Sequence, residues 1–291
     1  MSQARIAILA PAADGFYGGT RWPEVMARMV EPLEAAGIAA TPVDWTTDED
    51  LTGYDLVLGL LAWGYHRDGP APGYWHHQVA RWRAAGARLQ NPAEVLRWNA
   101  DKIYLGTLAE KGAPIVPTIF VHQVTEAAMH DAATAFGTDK LIAKPRVSAS
   151  AFRTIRWSPG TSLDGAPTDA AMIQPFLPDV LTGGEPSLLY LGGKFSHAVS
   201  KIPQAGDFRV QPEYGGIIAP YQPWPDELTA AEAALAAAET PLLYARVDLV
   251  RDLRGRPVLM ELELIEPDLF LGHDPAAQAN FVEAVRAAAC G

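Results

Sequence analysis

The chain has one cysteine, Cys290, next to last of 291 residues. That excludes an internal disulfide and any CxxC metal or redox pair, and a thiol in a fraying tail is a poor nucleophile. Lysine is also scarce, with only Lys102, Lys111, Lys140, Lys144, Lys194 and Lys201, so the position of each is informative. Positive charge is short overall. A net charge of −11 and a pI near 5.1 argue against nucleic acid, whose phosphate backbone needs clustered Lys and Arg, but leave room for a small anion held by a few local cations. No run reaches the roughly 18 apolar residues of a membrane span, so no membrane partner is expected. There is no GxxxxGK[ST] loop, no GxGxxG after the first strand and no nucleophile elbow. Histidine offers little: His76 and His77 would point about 100° apart on a helix, and His66 and His197 read as hydrogen-bonded structural residues. The chain enters a strand almost at once, without a positive leader and apolar run, so a cytoplasmic location is expected.

What is present is an ordinary globular composition, 49% apolar and 20% charged, long enough for two or three packed lobes. "RIAILA" (5–10), "IAATPVDW" and Asp55–Trp63 read as buried strands. Helices are expected over Pro23–Ala36 and Tyr74–Ala85, each stopped by glycine. Strands alternating with helices indicate a parallel α/β lobe over residues 1–95. The loop before the first helix carries Gly15, Gly18 and Gly19, a weak pattern that would line a cleft at the strand ends. The second half reads as α+β: a helix within "NPAEVLRWNADKIYLGTLAEKG", another over Glu126–Phe136, a strand "KLIAKP" stopped by Pro145, a helix over Glu227–Ala238 and a terminal hairpin. Pro212–Pro225 reads as a surface excursion.

The hairpin carries the chemistry. Side chains alternate along a strand, so "YARVDLV" puts Arg246 and Asp248 on one face and "ELEL" does the same for Glu261 and Glu263. Folded antiparallel, the strands share that charged face and leave Val, Leu and Met on the other. Three carboxylates and a guanidinium make a hard-oxygen site suited to magnesium and phosphate. A solvated hairpin face fits the pattern alone as well, and a carboxylate-pair hydrolase is a further alternative. Lys144 ends an apolar strand before a small-residue loop, a place from which an ammonium reaches phosphate; Lys102 is expected to open a helix. For both, an exposed lysine is the plain alternative. "SKIPQAGDFRVQPEYGG" adds Lys201, Arg209 and Gly215–Gly216, a combination suited to an anionic substrate or a polar surface loop.

The order of these clusters resembles the ATP-grasp superfamily, nearest to glutathione synthetase-type and D-alanine ligase-type carboxylate–amine ligases. "WNADK", "QPF", "GEPSLLYLGGKFSHAVSK" and "YARVDLV…MELELIEPDL" resemble a bacterial subgroup that includes the D-cycloserine-forming ligase. The resemblance implies an ATP-grasp fold, α/β and α+β, with an N-terminal parallel α/β lobe (1–95) and two α+β lobes (96–175 and 176–291) that sandwich ATP. By position it assigns Lys102, Lys144, Ser148, Ser150 and Lys201 to the nucleotide phosphates and their lid. Gln174, Phe176 and Leu177 fall to adenine, and Glu185 to ribose. Asp248, Glu261 and Glu263 would hold two Mg2+ ions, with Mn2+ a substitute. Arg246, Lys201 and Arg209 would act on the transferring phosphoryl group and substrate. The partners implied are a small-molecule carboxylate and an amine, in a homodimer or homotetramer. The alternatives are an intramolecular cyclo-ligase of the D-cycloserine-forming type and a non-catalytic nucleotide-binding protein on the same fold. Two departures stand out. Glu263 occupies a position usually held by Asn, and the loop after Lys144 reads "RVSASAF" where glycine is common.

Overall fold

A computed structural model describes residues 3–17, 19–67, 73–204, 206–210 and 214–290. Gly18 of the glycine loop and Pro212 lie outside the described residues.

The first sheet is parallel, in the order β2-β1-β3-β4, built from β1 (Arg5–Ala10), β2 (Ala39–Asp44), β3 (Leu56–Leu58) and β4 (Leu89–Gln90). The crossovers are α1 (Trp22–Ala35) and α2 (Tyr74–Ala85). Gly86 ends α2 at φ +89°, a left-handed cap that glycine adopts without strain. The strand expected over Asp55–Trp63 pairs only at Leu56–Leu58. Beyond it Leu60, Leu61 and Ala62 stay fully buried while the backbone turns, with Ala62 N–H donating to Gly59 O. The apolar run reported burial, and pairing ended earlier.

Two short helices follow, α3 (Ala93–Trp98) and α4 (Tyr104–Glu110), where one was expected. Asn99 breaks the run because its side chain is used elsewhere: its amide donates to Leu262 O at 2.8 Å and accepts from Leu264 N at 2.9 Å. Lys102 therefore sits in the turn ahead of α4 and does not open a helix.

The second sheet runs β5-β8-β6-β7, antiparallel, from β5 (Ile119–Val121), β6 (Leu141–Pro145), β7 (Ile155–Trp157) and β8 (Ala171–Pro175). It is backed by α5 (Glu126–Phe136), capped by the Thr125 hydroxyl, which accepts from Ala128 N.

The third sheet runs β11-β10-β9-β12-β13, from β9 (Glu185–Leu191), β10 (Lys194–Ile202), β11 (Ile217–Pro220), β12 (Tyr244–Arg251) and β13 (Pro257–Glu263), with α6 (Pro225–Ala237) packed against β12 and β13. The segment read as a surface excursion thus contains a paired edge strand, β11. Antiparallel pairing sets Arg246 opposite Glu263 and Asp248 opposite Glu261. The register shifts after Asp248, so Leu249 faces Leu259 and Met260 is the extra residue of a bulge. Met260, expected on the apolar face, accordingly lines the cavity described below.

Burial joins the first and third sheets. The C-terminal helix α7 (Ala277–Cys290) returns to the N-terminal sheet, and Phe281 and Val285 share an apolar cluster with Ile6, Ile8, Leu189 and Val199. Asn91 is fully buried, its amide donating to Tyr244 O and Leu264 O and accepting from Leu243 N. Val116 N donates to Leu259 O, tying the lead-in of the second sheet to β13. Among the described residues no helix is long and apolar enough to cross a membrane.

Candidate active site

A cavity of about 780 Å³ opens where the three sheets face one another. Its wall includes Lys102, Lys144, Ser148, Ser150, Gln174, Phe176, Leu177, Glu185, Lys201, Arg209, Arg246, Asp248, Glu261 and Glu263. All fourteen residues singled out from the sequence line one space.

The hairpin face is mostly withdrawn from solvent, with the Glu261 and Glu263 side chains still 30% and 25% exposed. Asp248 is 2% exposed and Arg246 9%. Isolated charges do not survive such burial, and these are paired. Arg246 donates to Asp248 at 2.9 Å and to Glu263. Ser187, two residues along β9 from Glu185 and on the same face, donates to Asp248 at 2.6 Å. Lys201 bridges Asp248, at 3.0 Å, and Glu185. Lys102 is 6% exposed, bonded to Glu261 at 3.1 Å and to Ser148 O at 2.6 Å. The reading of Lys102 as a surface lysine is therefore overturned. Lys144 is half-buried and has no ion pair among the described residues, and burial pulls its pKa down.

The carboxylates differ sharply. Burial pushes Asp248 upward, but Arg246 and Lys201 outweigh it and hold the group well below the usual range. Glu261 is lowered against its burial by Lys102 and Lys144. Glu263 goes the other way: burial, with Asp248 and Glu261 nearby, outweighs Arg246 and lifts it to about 8. Burial raises Glu185 despite Lys201, and lifts Glu266 well above the ordinary range with Glu263 next in effect. Glu185, Glu263 and Glu266 are thus pushed toward their protonated forms, while Asp248 and Glu261 are held ionised.

Among the described residues no three acidic or histidine side chains close into a metal cage. Arg246 lies between Asp248 and Glu263, and Lys102 is drawn onto Glu261. This donor set still fits magnesium, which typically takes one or two protein carboxylates and completes its shell with phosphate oxygens and water.

Beside the charged wall is an apolar slot. Val116, Phe176, Leu177, Val180 and Val210 form one cluster, with Ile142, Phe208 and Met260 packed on it. Arg156 lies over the Phe176 ring at 4.1 Å, and Gln174 donates to the Thr118 hydroxyl at 2.9 Å. The slot offers flat apolar surface beside backbone at the end of β8, a setting suited to a planar heterocycle.

Two loops meet over the mouth. After β6, Ser150, Ala151 and Arg153 have φ of +51°, +54° and +49°. This is glycine's conformation held without glycine, a strained arrangement. Phe152 at the tip is 53% exposed. Tyr214, across the mouth, donates to Ser150 O at 3.3 Å, and Arg209 stacks on the Tyr214 ring at 3.7 Å while binding Asp207.

Arg21, His66, Arg67, Glu266 and Asp268, none of them assigned to the site above, also line this cavity. Glu266 and Asp268 had a signal, since they continue the acidic residues of the apolar stretch "ELELIEPDLF". His66 and Arg67 had none, because the turn that carries them acquires its place only when the first sheet meets the hairpin.

No family model matches the chain. The cycloserine biosynthesis protein DcsG of Streptomyces lavendulae is 26% identical over 295 residues, covering 89% of this chain and 92% of that one. Glutathione synthetase of Prochlorococcus marinus (strain MIT 9313) is 31% identical over 169 residues, covering 55% of this chain and 50% of that one. The crystal structure of D-cycloserine synthetase DcsG superposes with a TM-score of 0.82 at 25% identity, over 98% of this chain and all of that one. A RimK-domain ATP-grasp protein from Sphaerobacter thermophilus DSM 20745 shares the fold, with a TM-score of 0.66 at 17% identity over 97% and 99% of the two chains. With the sequence order of the charged clusters and their convergence on one cavity, these likenesses support the ATP-grasp superfamily of carboxylate–amine ligases, to whose members the chain is similar along nearly its whole length.

Proposed function

We propose that the protein activates a substrate carboxylate as an acyl phosphate at the expense of ATP and joins it to an amine, releasing ADP and phosphate. The observation that carries this reading is the shared cavity face of Arg246, Asp248, Glu261 and Glu263, with Lys144, which has no ion pair among the described residues, on the same wall. Adenine enters the slot of Phe176, Leu177 and Met260, with Gln174 and backbone at its edge, and Glu185 meets the ribose. Lys102, Lys144 and Lys201 meet the phosphates, and the Ser148–Ser150 loop covers them. Asp248, Glu261 and Glu263 hold two magnesium ions, which neutralise the triphosphate. Lobes at 1–95, 96–175 and 176–291 enclose the site, and the enzyme works in the cytoplasm as a homodimer or homotetramer.

The chain's own residues do little proton transfer. Their work is positioning and charge stabilisation, as phosphoryl transfer requires. The substrate carboxylate oxygen attacks the γ-phosphorus and the bond to the β-phosphate oxygen breaks. Arg246 stabilises the charge on the moving phosphoryl group. Arg209 moves from Asp207 to the acyl phosphate, and the closing loops exclude water until the amine displaces phosphate.

A second reading differs in substrate alone. The likeness to DcsG, over nearly the whole chain, favours an amine within the same molecule, so that the product is a ring. Phosphate release with a single substrate and no added amine selects this variant.

Thermal stabilisation by Mg-ATP tests the site. At about 100-fold over Kd a ligand stabilises by about 2.7 kcal/mol, worth roughly 5 °C in Tm for a chain of this size. Glu261→Gln should stay folded by circular dichroism and lose that shift. Equal shifts in mutant and wild type would refute the assignment.

A further inference from the structure

Phe270 lines the cavity, and the Arg246 guanidinium carbon lies 5.5 Å from its ring centroid. Its φ is +49°, a left-handed backbone that a bulky residue keeps only where its surroundings hold it. The peptide between Leu269 and Phe270 is gripped at both ends. Phe270 N donates to Asp268 Oδ1 at 2.9 Å. Leu269 O faces His197 Nε2 at 2.9 Å. The next peptide is held too, since Phe270 O accepts from His273 N at 2.9 Å. With both planes fixed, the φ and ψ of Phe270 are fixed. His197 is the restraint that comes from another element, β10, and it is 3% exposed. A carbonyl only accepts, so Nε2 carries the proton. Burial lowers the ring below its ordinary 6.5, so it is neutral and Nδ1 accepts from the Ser196 hydroxyl at 2.9 Å. Asn280 of α7 donates to Ser196 Oγ at 3.0 Å. A hydrogen-bonded chain thus runs from α7 through β10 to the peptide beside Phe270.

The ring matters to Arg246 for a physical reason. Asp248 and Glu263 hold the guanidinium by taking hydrogen bonds from it. An aromatic ring attracts a cation without occupying its N–H donors, so the remaining donors stay free for phosphate. Resting on the ligase reading above, we propose that His197 is a positioning residue for phosphoryl transfer. Backed by Ser196 and Asn280, it fixes the peptide before Phe270, and the Phe270 ring then sets where Arg246 stands before the γ-phosphate. His197 itself touches neither nucleotide nor substrate, and does not line the cavity. A histidine that only filled the core would leave Arg246 undisturbed when replaced.

The test needs no knowledge of the substrate. Calorimetric titration of the full-length protein with Mg-ADP and with Mg-AMPPNP, a triphosphate that is not hydrolysed, reads the γ-phosphate contact as the ratio of the two dissociation constants. The wild type should prefer the triphosphate. His197→Leu removes the donor and should cut that preference about tenfold or more, the loss expected for a misaligned hydrogen bond to a charged group, with Mg-ADP affinity held within about twofold. His197→Gln, whose amide N–H can take the place of Nε2–H, should keep most of the preference, and Ser196→Ala should fall between. Phe270→Ala should lower the ratio as His197→Leu does, and the double mutant should be no worse than Phe270→Ala alone, because the histidine acts through the ring. Thr125→Ala, which loses the α5 cap, should lower stability without moving the ratio. Should His197→Leu fail to fold by circular dichroism, Ser196→Ala decides by the same ratio. An unchanged ratio, an equal loss for both nucleotides, additive effects in the double mutant, or a wild type without triphosphate preference would each overturn the proposal. A wild type that binds neither nucleotide would sink the nucleotide reading itself, and this one with it.

Discussion

Lys201 is the most exacting place to test the electrostatics of the cavity. Its ammonium is held between Glu185 and Asp248, and the three side chains are 7%, 9% and 2% exposed. Methionine keeps the stem and removes the charge. Asp248 would retain Arg246 and Ser187, whereas Glu185 would have no hydrogen-bond partner left among the described residues. Removing one partner of a buried pair costs about 3–5 kcal/mol. The stranded carboxylate limits that cost by taking up a proton. Burial already raises Glu185 above its ordinary 4.5 with Lys201 in place, and loss of the lysine raises it further. A carboxyl whose folded pKa exceeds its unfolded value keeps a proton that the unfolded chain releases, so stability is full below about 4.5 and falls as pH rises through the folded value. Urea denaturation of Lys201→Met should therefore show a small deficit near pH 5 that grows to several kcal/mol by about pH 8. Lys201→Met/Glu185→Gln should recover most of the deficit at the higher pH and flatten the profile. A deficit that does not change with pH, or a double mutant no better than the single, would refute the reasoning.

His66 predicts the opposite slope. Burial, aided by Lys102 and Arg67, lowers it to about 4, so the folded protein binds fewer protons than the unfolded chain between that value and 6.5, and stability is lost as pH falls through this window. His66→Phe should remove up to about 3 kcal/mol of this acid sensitivity in urea melts at pH 4–7, and an unchanged pH profile would count against it. Asn91→Ala leaves Leu243 N, Tyr244 O and Leu264 O without their buried partner, and should destabilise by at least about 3 kcal/mol; a loss under about 1 kcal/mol would show that water replaces the side chain.

Much of the site was legible because strand chemistry is local. Period-two alternation alone puts Arg246 with Asp248 and Glu261 with Glu263, and a hairpin joins the two faces. Lys144 was legible through its place at a strand end, whereas Gln174 and Glu185 came only from the family resemblance. Asn99 shows where local reading stops. Its neighbours favour one helix, but its amide is worth more bonded to the backbone of β13, and that partner lies more than 160 residues away. The bulge at Met260 is similar: nothing in "VLMELE" announces the extra residue, and the cavity gains an apolar side chain through it.

What the amino-acid order determined by itself was which residue types share a strand face and in what sequence the charged clusters arrive, since both follow from backbone geometry over a few residues. What only the tertiary structure decided was which charges meet. Lys102 reaches Glu261 and Lys201 reaches Glu185, because burial favours pairing while the packing of three sheets sets which partner is within reach.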